Sequence, residues 1–130
     1  MEPTQIQQWA RERIDELPGA MLTRPFGDDH DVYRVTDKIF MMVTDKPGRP
    51  IVTLKARPAD SALLREAFTQ IIPGWHMNKR HWITLDPGPE LEREMVRDLV
   101  TESYLLVVEG LPARLRPVDP AVFGQTTHAD

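Results

Sequence analysis

The chain has 130 residues, contains no cysteine and carries a formal net charge of −4 at pH 7. This length is typical of one domain with its own hydrophobic core. We therefore expect a single domain over residues 1–130, in which residues from about 118 to 130 form a loose C-terminal tail. The lack of cysteine excludes disulfides, thiolate zinc sites and cysteine nucleophiles.

No apolar run has the length that a signal peptide or a membrane-spanning helix requires. We therefore expect a cytoplasmic protein that makes no membrane contact. The net negative charge disfavours a surface that binds nucleic acid all over. A local basic patch remains compatible with it, because an electrostatic field depends on where the charges lie as well as on their sum.

The first half of the chain predicts one helix followed by strands. Apolar residues recur at three- and four-residue spacing up to Pro18-Gly19, which ends the helix, and Thr4 is its candidate N-cap. Between Met21 and Ala56, short runs rich in β-branched and aromatic residues alternate with turn compositions, which predicts a four-strand antiparallel meander. Polar and apolar residues alternate in VYRV and IVTLKA, which predicts a sheet with one wet face.

The second half predicts two helices and one further strand. A helix opens at Pro58, with Asp60 or Ser61 as its cap. HWITLD is a fifth strand, and a long helix runs from about Glu90 to Glu109. The order α-β-β-β-β-α-β-α predicts an α+β fold: one twisted, mostly antiparallel sheet with helices packed on one face.

Two short segments contain possible metal ligands. GDDHD, residues 27–31, is either a hard-cation site built from carboxylates or a polar turn between strands. His76 and His81 offer two imidazoles, but their neighbours Lys79 and Arg80 repel a cation. We favour the turn for the first segment and expect no metal at either.

The stretch PGWHMNKRHWITL, Pro73 to Leu85, is unusual in an acidic chain because it gathers aromatic, basic and amide groups. Pro73-Gly74 predicts a turn with close backbone approach. The stretch has two interpretations. It is either a loop that covers the core with Trp and Met, or a site for an anion, since Arg, Lys and Asn routinely contact phosphates and bases.

This stretch closely resembles the signature of the MmcQ/YjbR family of bacterial proteins. Supporting features are LPG after the first helix, the VYRV and KIFMMV strands, VTLKA before the second helix, and LVTESYLLVVEGLP near the end. The resemblance extends from about Leu17 to Leu111, and its core, HMNK-x-HW, is specific.

The resemblance implies a fold similar to the CyaY/frataxin sandwich and a DNA-binding role, which has been described as a double-wing arrangement. The frataxin likeness would also imply iron on the first helix, where acidic positions are sparse. The residues that the resemblance implies for contact with DNA or another anion are His76, Asn78, Lys79, Arg80, His81, Trp82 and Lys55.

Two functional hypotheses follow. The first is a non-enzymatic protein that binds double-stranded DNA through phosphate contacts from Lys79, Arg80 and Lys55, with Arg24 or Arg57 as further cations. The second is a binding module for a small anionic ligand or a protein partner, with the motif mainly structural. No paired nucleophile or carboxylate dyad is visible, so we expect neither catalysis nor a cofactor.

Overall fold

A computed structural model of the chain describes residues 5–123. The helices are α1 (Gln5–Ile14), α2 (Pro58–Ala67) and α3 (Arg93–Glu109), followed by a short 3₁₀ helix (Ala113–Leu115). The strands are β1 (Ala20–Thr23), β2 (His30–Val35), β3 (Lys38–Thr44), β4 (Ile51–Lys55), β5 (Ile71–Pro73) and β6 (Trp82–Leu85). Within these residues, no helix is both long and apolar enough to cross a membrane.

The strands form one antiparallel six-stranded sheet in the order β1-β2-β3-β4-β6-β5. The predicted meander and the α+β class are confirmed. The predicted element order omits β5, a strand of three residues that ends on Pro73. Its shortness hides it from periodicity, and its place at the sheet edge is where a proline can be accommodated without losing a ladder hydrogen bond.

The main core lies between one face of the sheet and the helices α1 and α3. Tyr104 of α3 is fully buried there, its ring 5.4 Å from that of Phe40 in an edge-to-face arrangement. Its hydroxyl donates to the carbonyl oxygen of Pro18 at 2.5 Å. Burial raises the pKa of Tyr104 to about 12, so the phenol is neutral at physiological pH.

Several predicted boundaries differ from the structure. The N-cap of α2 is Arg57, without a side-chain cap, whereas Asp60 or Ser61 was predicted. Helix α3 begins at Arg93 rather than near Glu90, and its N-cap is Glu92. The Glu90 carboxylate instead accepts hydrogen bonds from Thr69 Oγ1 (2.8 Å) and the Gln70 amide (3.0 Å). The predicted cap Thr4 lies outside the described residues.

Part of the predicted C-terminal tail lies within the described chain. Val118 and Phe123 are partly buried against the main core, and the Phe123 ring is centred 6.0 Å from that of Tyr104. Residues 124–130 lie outside the described part.

The second face of the sheet, which we call the outer face, is not wet as predicted. Its central side chains Val32, Met42, Thr53 and Thr84 are all buried. The chain between β5 and β6, residues 74–81, folds back over this face, where the Trp75 amide bonds Thr84 and Met77 shares a cavity with Met42. We call this segment the motif loop.

Candidate functional site

The motif loop is attached to the outer face by a buried hydroxyl pair. Thr53 Oγ1 and Thr84 Oγ1 are opposed on β4 and β6 and lie 2.8 Å apart. Thr84 Oγ1 also accepts a hydrogen bond from the Trp75 amide at 2.8 Å. Two buried threonines therefore attach the loop to the sheet, although the alternation of polar and apolar residues in the sequence places them on the solvent side.

The predicted close backbone approach at Gly74 is confirmed. The Gly74 amide donates to the carbonyl oxygen of Trp82 at 2.9 Å. A Cβ atom at position 74 would lie 2.6 Å from Trp82 Cβ and 2.9 Å from Trp82 O. Real Cβ atoms essentially never approach non-bonded atoms this closely, so the start of the loop favours glycine.

Two of the predicted ligand-binding residues close the loop on itself. Asn78 Oδ1 accepts a hydrogen bond from the Arg80 amide at 2.9 Å, which is an Asx turn. Lys79 Nζ donates to the carbonyl oxygen of Gly74. An ammonium has three donors, so Lys79 retains hydrogen-bonding capacity toward an anion.

The remaining polar residues of the loop face solvent. His76, Arg80 and His81 are exposed. His76 adopts a left-handed backbone conformation with φ of 57°, a region in which His is enriched among non-glycine residues. The carbonyl oxygen of His81 accepts a hydrogen bond from the Ala56 amide at 2.9 Å, which joins the end of the loop to the end of β4.

Lys55 and Trp82, which are far apart in sequence, occupy directly opposed positions on β4 and β6. The Lys55 amide donates to Ser103 Oγ at 2.8 Å, and the buried Ser103 hydroxyl donates in turn to the carbonyl oxygen of Phe40. The Ser103 hydroxyl therefore bridges β4 and β3 and sets the position of Lys55 at the border between the sheet and α3.

A groove of about 460 Å³ lies at this end of the sheet, between the outer face and the C-terminal end of α3. We call it the cation groove. The lining residues that carry a charge, a sulfur atom or an indole ring are Arg34, Asp37, Lys38, Lys55, Met77 and Trp82. Sequence reasoning identified Lys55 and Trp82 but missed Arg34 and Lys38. Arg34 and Lys38 reach the groove because of the register between β2 and β3, which no local pattern reveals.

The cations around this groove lack ion-pair partners, as do Arg65, Arg114 and Arg116 elsewhere in residues 5–123, whereas the cations of the helical side are paired. On the helical side, Arg97 Nη2 lies 2.8 Å from Glu16 Oε1 and Arg93 Nε lies 3.0 Å from Glu12 Oε1. The hydrogen bond from Arg97 holds the pKa of Glu16 below its usual value. Within residues 5–123, five basic side chains near the groove and loop have no carboxylate oxygen within 4.0 Å, namely Arg34, Lys38, Lys55, Lys79 and Arg80.

The two further cations proposed for phosphate contact are both paired. Arg24 Nε lies 2.9 Å from Asp31 Oδ1, and Arg57 Nη2 lies 3.3 Å from Glu109 Oε1. The structure therefore brings Lys55, Trp82 and the motif loop together, and leaves these two arginines in ion pairs.

A second cavity, of about 430 Å³, lies at the opposite end of the outer face. We call it the aromatic cavity. The Trp75 ring is stacked on that of His30 (centroids 5.9 Å apart, interplanar angle 20°) and is contacted edge-on by His76 (4.1 Å, 81°). Phe26 lies edge-on to His30 at 6.0 Å and is 62% exposed. Met77 lines both cavities and so lies between them.

The acidic turn at residues 27–31 is used in ion pairs. Asp31 accepts from Arg11 at 2.8 Å as well as from Arg24, and Asp29 Oδ2 lies 3.0 Å from Lys46 Nζ. Hydrogen bonds from Lys46 and then His30 lower the pKa of Asp29. Across the described chain, no three His, Asp or Glu side chains are arranged to hold a metal ion. The ion pairs of Asp29 and Asp31 favour the interpretation of residues 27–31 as a polar turn.

Comparison with known proteins agrees with this architecture. The YjbR family model matches residues 15–106. The uncharacterized protein YbdF of Escherichia coli O157:H7 is 40% identical over 114 residues, covering 88% of this chain and 93% of YbdF. The uncharacterized protein YjbR of Escherichia coli K12 is 36% identical over 83 residues, 64% of this chain and 70% of YjbR.

Solved structures have the same fold. Protein DR2400 of Deinococcus radiodurans, a DUF419 domain, superposes with a TM-score of 0.75 at 31% identity, covering 82% of this chain and 81% of DR2400. A Pseudomonas syringae protein superposes with a TM-score of 0.65 at 26% identity, covering 82% of this chain and 98% of its own. The motif loop, most of the cation groove and most of the core fall inside the residues that the family model matches, and the chain belongs to the YjbR family.

Proposed function

We propose that this protein is a non-enzymatic nucleic-acid-binding protein that contacts DNA phosphates through the cation groove and the motif loop. The observation that supports this proposal is the set of five basic side chains without carboxylate partners, of which three line the cation groove and two belong to the motif loop that adjoins it through Met77. A carboxylate beside a cation offsets its field, whereas a cation without such a neighbour leaves a net positive potential that attracts an anion.

The chemistry of the groove is suited to a phosphate backbone. Arg34 and Lys55 are anchored by β2 and β4, so an anion would meet guanidinium and ammonium groups on rigid elements. Trp82 adds an aromatic wall and an indole N–H donor. Asp37 lies at the same groove and limits the net attraction, which favours weak, salt-sensitive binding.

The experiment is a salt titration of binding to a fluorescein-labelled DNA duplex, followed by anisotropy. If about three phosphates are neutralised, log K falls with log salt at a slope of about −2.7. Lys55→Gln is expected to reduce the magnitude of that slope by about 0.9, as one phosphate contact is lost. Arg57→Gln is the matched control, because Arg57 already pairs with Glu109.

A slope that is the same for the wild type and Lys55→Gln would show that the groove is not the contact surface. Absence of salt-sensitive binding to any duplex or single strand would refute the proposed function as a whole.

A second candidate function is the binding of a small anionic ligand. It is supported by the concave shape of the cation groove, since about 460 Å³ lies within the size range of small-molecule sites. Titration with inorganic phosphate and with a dicarboxylate distinguishes the two, because a small-ligand site saturates with these ions at concentrations that leave a DNA-binding surface unoccupied.

A further inference from the structure

We propose that the aromatic cavity binds an unpaired nucleobase by ring stacking, so that the preferred partner is single-stranded rather than fully paired nucleic acid. The inference rests on the proposed function for the phosphate contacts. It adds a second site at the opposite end of the outer face. Of the predicted ligand residues, His76 is the one that lines this site.

The rings at the aromatic cavity are open to a further planar group. Trp75 is only partly buried although it stacks on His30, and Phe26 at the rim is 62% exposed. Large aromatic side chains left open to water beside a cavity are unfavourable unless something covers them. Aromatic rings of this kind accept a planar base through dispersion and quadrupole attraction, whatever the base is.

Two methionines form the floor and the inner wall of the cavity. Met42 is nearly buried beneath it and Met77 lines its inner wall. Thioether groups are polarizable and contact the edges of aromatic rings favourably. The cavity volume of about 430 Å³ is in the range of sites that enclose a small planar molecule.

The aromatic cavity is continuous with the cation groove. Met77 borders both cavities, which lie at the two ends of β2, near His30 and near Arg34. Four residues of a strand span about 13 Å, a distance that a short single strand can bridge. An electrostatic groove beside an aromatic platform is the combination by which single-stranded nucleic acid is generally bound.

A duplex cannot use this site, because its bases are stacked inside the helix and their faces are not available. Occupation of the aromatic cavity therefore requires an unpaired base. For this reason the ring stack favours a single strand, a loop or a frayed end over an intact duplex.

The first experiment compares an oligothymidine with an abasic oligonucleotide that has the same number of phosphates, at one salt concentration. Stacking predicts at least about 5-fold tighter binding of the oligothymidine. Phe26→Ala, at an exposed position, is expected to lower this ratio toward one and to leave the salt slope unchanged. Leu63→Ala, another exposed apolar side chain (66%) on α2, is the control.

Equal binding of the two oligonucleotides with a normal salt slope would leave the phosphate-binding function intact and overturn the stacking site. A ratio that Leu63→Ala lowers as much as Phe26→Ala would overturn it too.

The second experiment uses adenosine, which carries no phosphate, and follows the indole N–H resonances of the three Trp residues by NMR. Saturable shifts are expected for Trp75 and not for Trp9. If neither oligonucleotide binds, the proposed function fails. The adenosine titration then tests the aromatic cavity independently of any phosphate contact. No saturable shift of the Trp75 resonance with adenosine or the other nucleosides would overturn it.

Discussion

The amide of Trp75 and the hydroxyl of Thr84 are joined by a 2.8 Å hydrogen bond that attaches the motif loop to the outer face of the sheet. Thr84 is fully buried and pairs with Thr53 at the same time. The Thr84 hydroxyl therefore links β6, the strand at the end of the family motif, to Trp75, whose ring lies at the centre of the aromatic cavity.

Replacing that hydroxyl is expected to weaken the loop more than the sheet. Thr84→Val conserves shape but leaves the Trp75 amide without a partner, which costs about 1 to 3 kcal/mol of unfolding free energy. Urea denaturation measures this change. Thr69→Val, which removes an exposed hydroxyl bonded to Glu90, should cost much less, and equal losses would contradict the role assigned to Thr84.

A methyl group at position 74 is expected to be strongly unfavourable. Gly74→Ala places a Cβ atom 2.6 Å from Trp82 Cβ, so β6 or the loop must shift, at a cost of about 1 to 3 kcal/mol. Gly110→Ala is the matched control, because its φ is −80° and its Cβ would meet nothing nearer than 3.5 Å. Thermal denaturation of both variants gives the comparison, and a small effect at position 74 would show that the close approach is relieved easily.

The turn between β2 and β3 has a residue that is poorly suited to its conformation. Thr36 and Asp37 have φ values of 46° and 67°, the left-handed pair found in two-residue hairpin turns. A β-branched residue is strained there, whereas asparagine adopts it readily. Thr36→Asn relieves this strain but removes the hydrogen bond from Thr36 Oγ1 to the carbonyl oxygen of Leu115 (3.3 Å). The unfolding free energy is expected to rise by about 0.5 to 1 kcal/mol, and a loss measured by urea denaturation would contradict the strain.

Alkaline pH should destabilise the protein through Tyr104. Its pKa is raised from 10.0 to about 12 by burial, so the folded state retains the phenolic proton after the unfolded state has lost it. This contribution is complete below pH 10 and is lost as pH rises toward 12, by an amount on the order of 2 to 3 kcal/mol. Tyr104→Phe should show a flatter dependence over that interval in urea denaturation. An identical dependence would contradict the assignment.

Two adjacent cations of the motif loop are expected to behave differently. Lys79 bonds the carbonyl oxygen of Gly74, whereas the Arg80 side chain is exposed and makes no hydrogen bond within residues 5–123. Lys79→Ala should therefore lower both stability, by about 1 kcal/mol, and DNA affinity. Arg80→Ala should lower DNA affinity alone. Urea denaturation and anisotropy on the same two variants check this, and equal stability losses would be inconsistent with it.

Local pattern was sufficient for most of the fold. The strands of the meander were predicted because β-branched runs and turn residues alternate between Met21 and Ala56. Gly74 was predicted because a proline-glycine pair marks a tight turn. These features depend on residues close together in the chain, and the physical forces that produce them act over the same short range.

The site was predicted only in part, for a different reason. Lys55 and Trp82 were expected from the family motif, but the groove also contains Arg34 and Lys38, which join it through the β2–β3 and β3–β4 registers. His30 is 45 residues before Trp75 in the numbering, and only the return of the motif loop over the outer face brings the two rings together.

The amino-acid sequence by itself therefore determined the fold class, the family and the place of the motif loop in the chain. The tertiary structure alone decided which charges are neutralised and which face of the sheet the loop covers. Ion pairing and ring stacking depend on distances between residues that are remote in sequence, and folding sets those distances through strand register and packing, which no short-range pattern encodes.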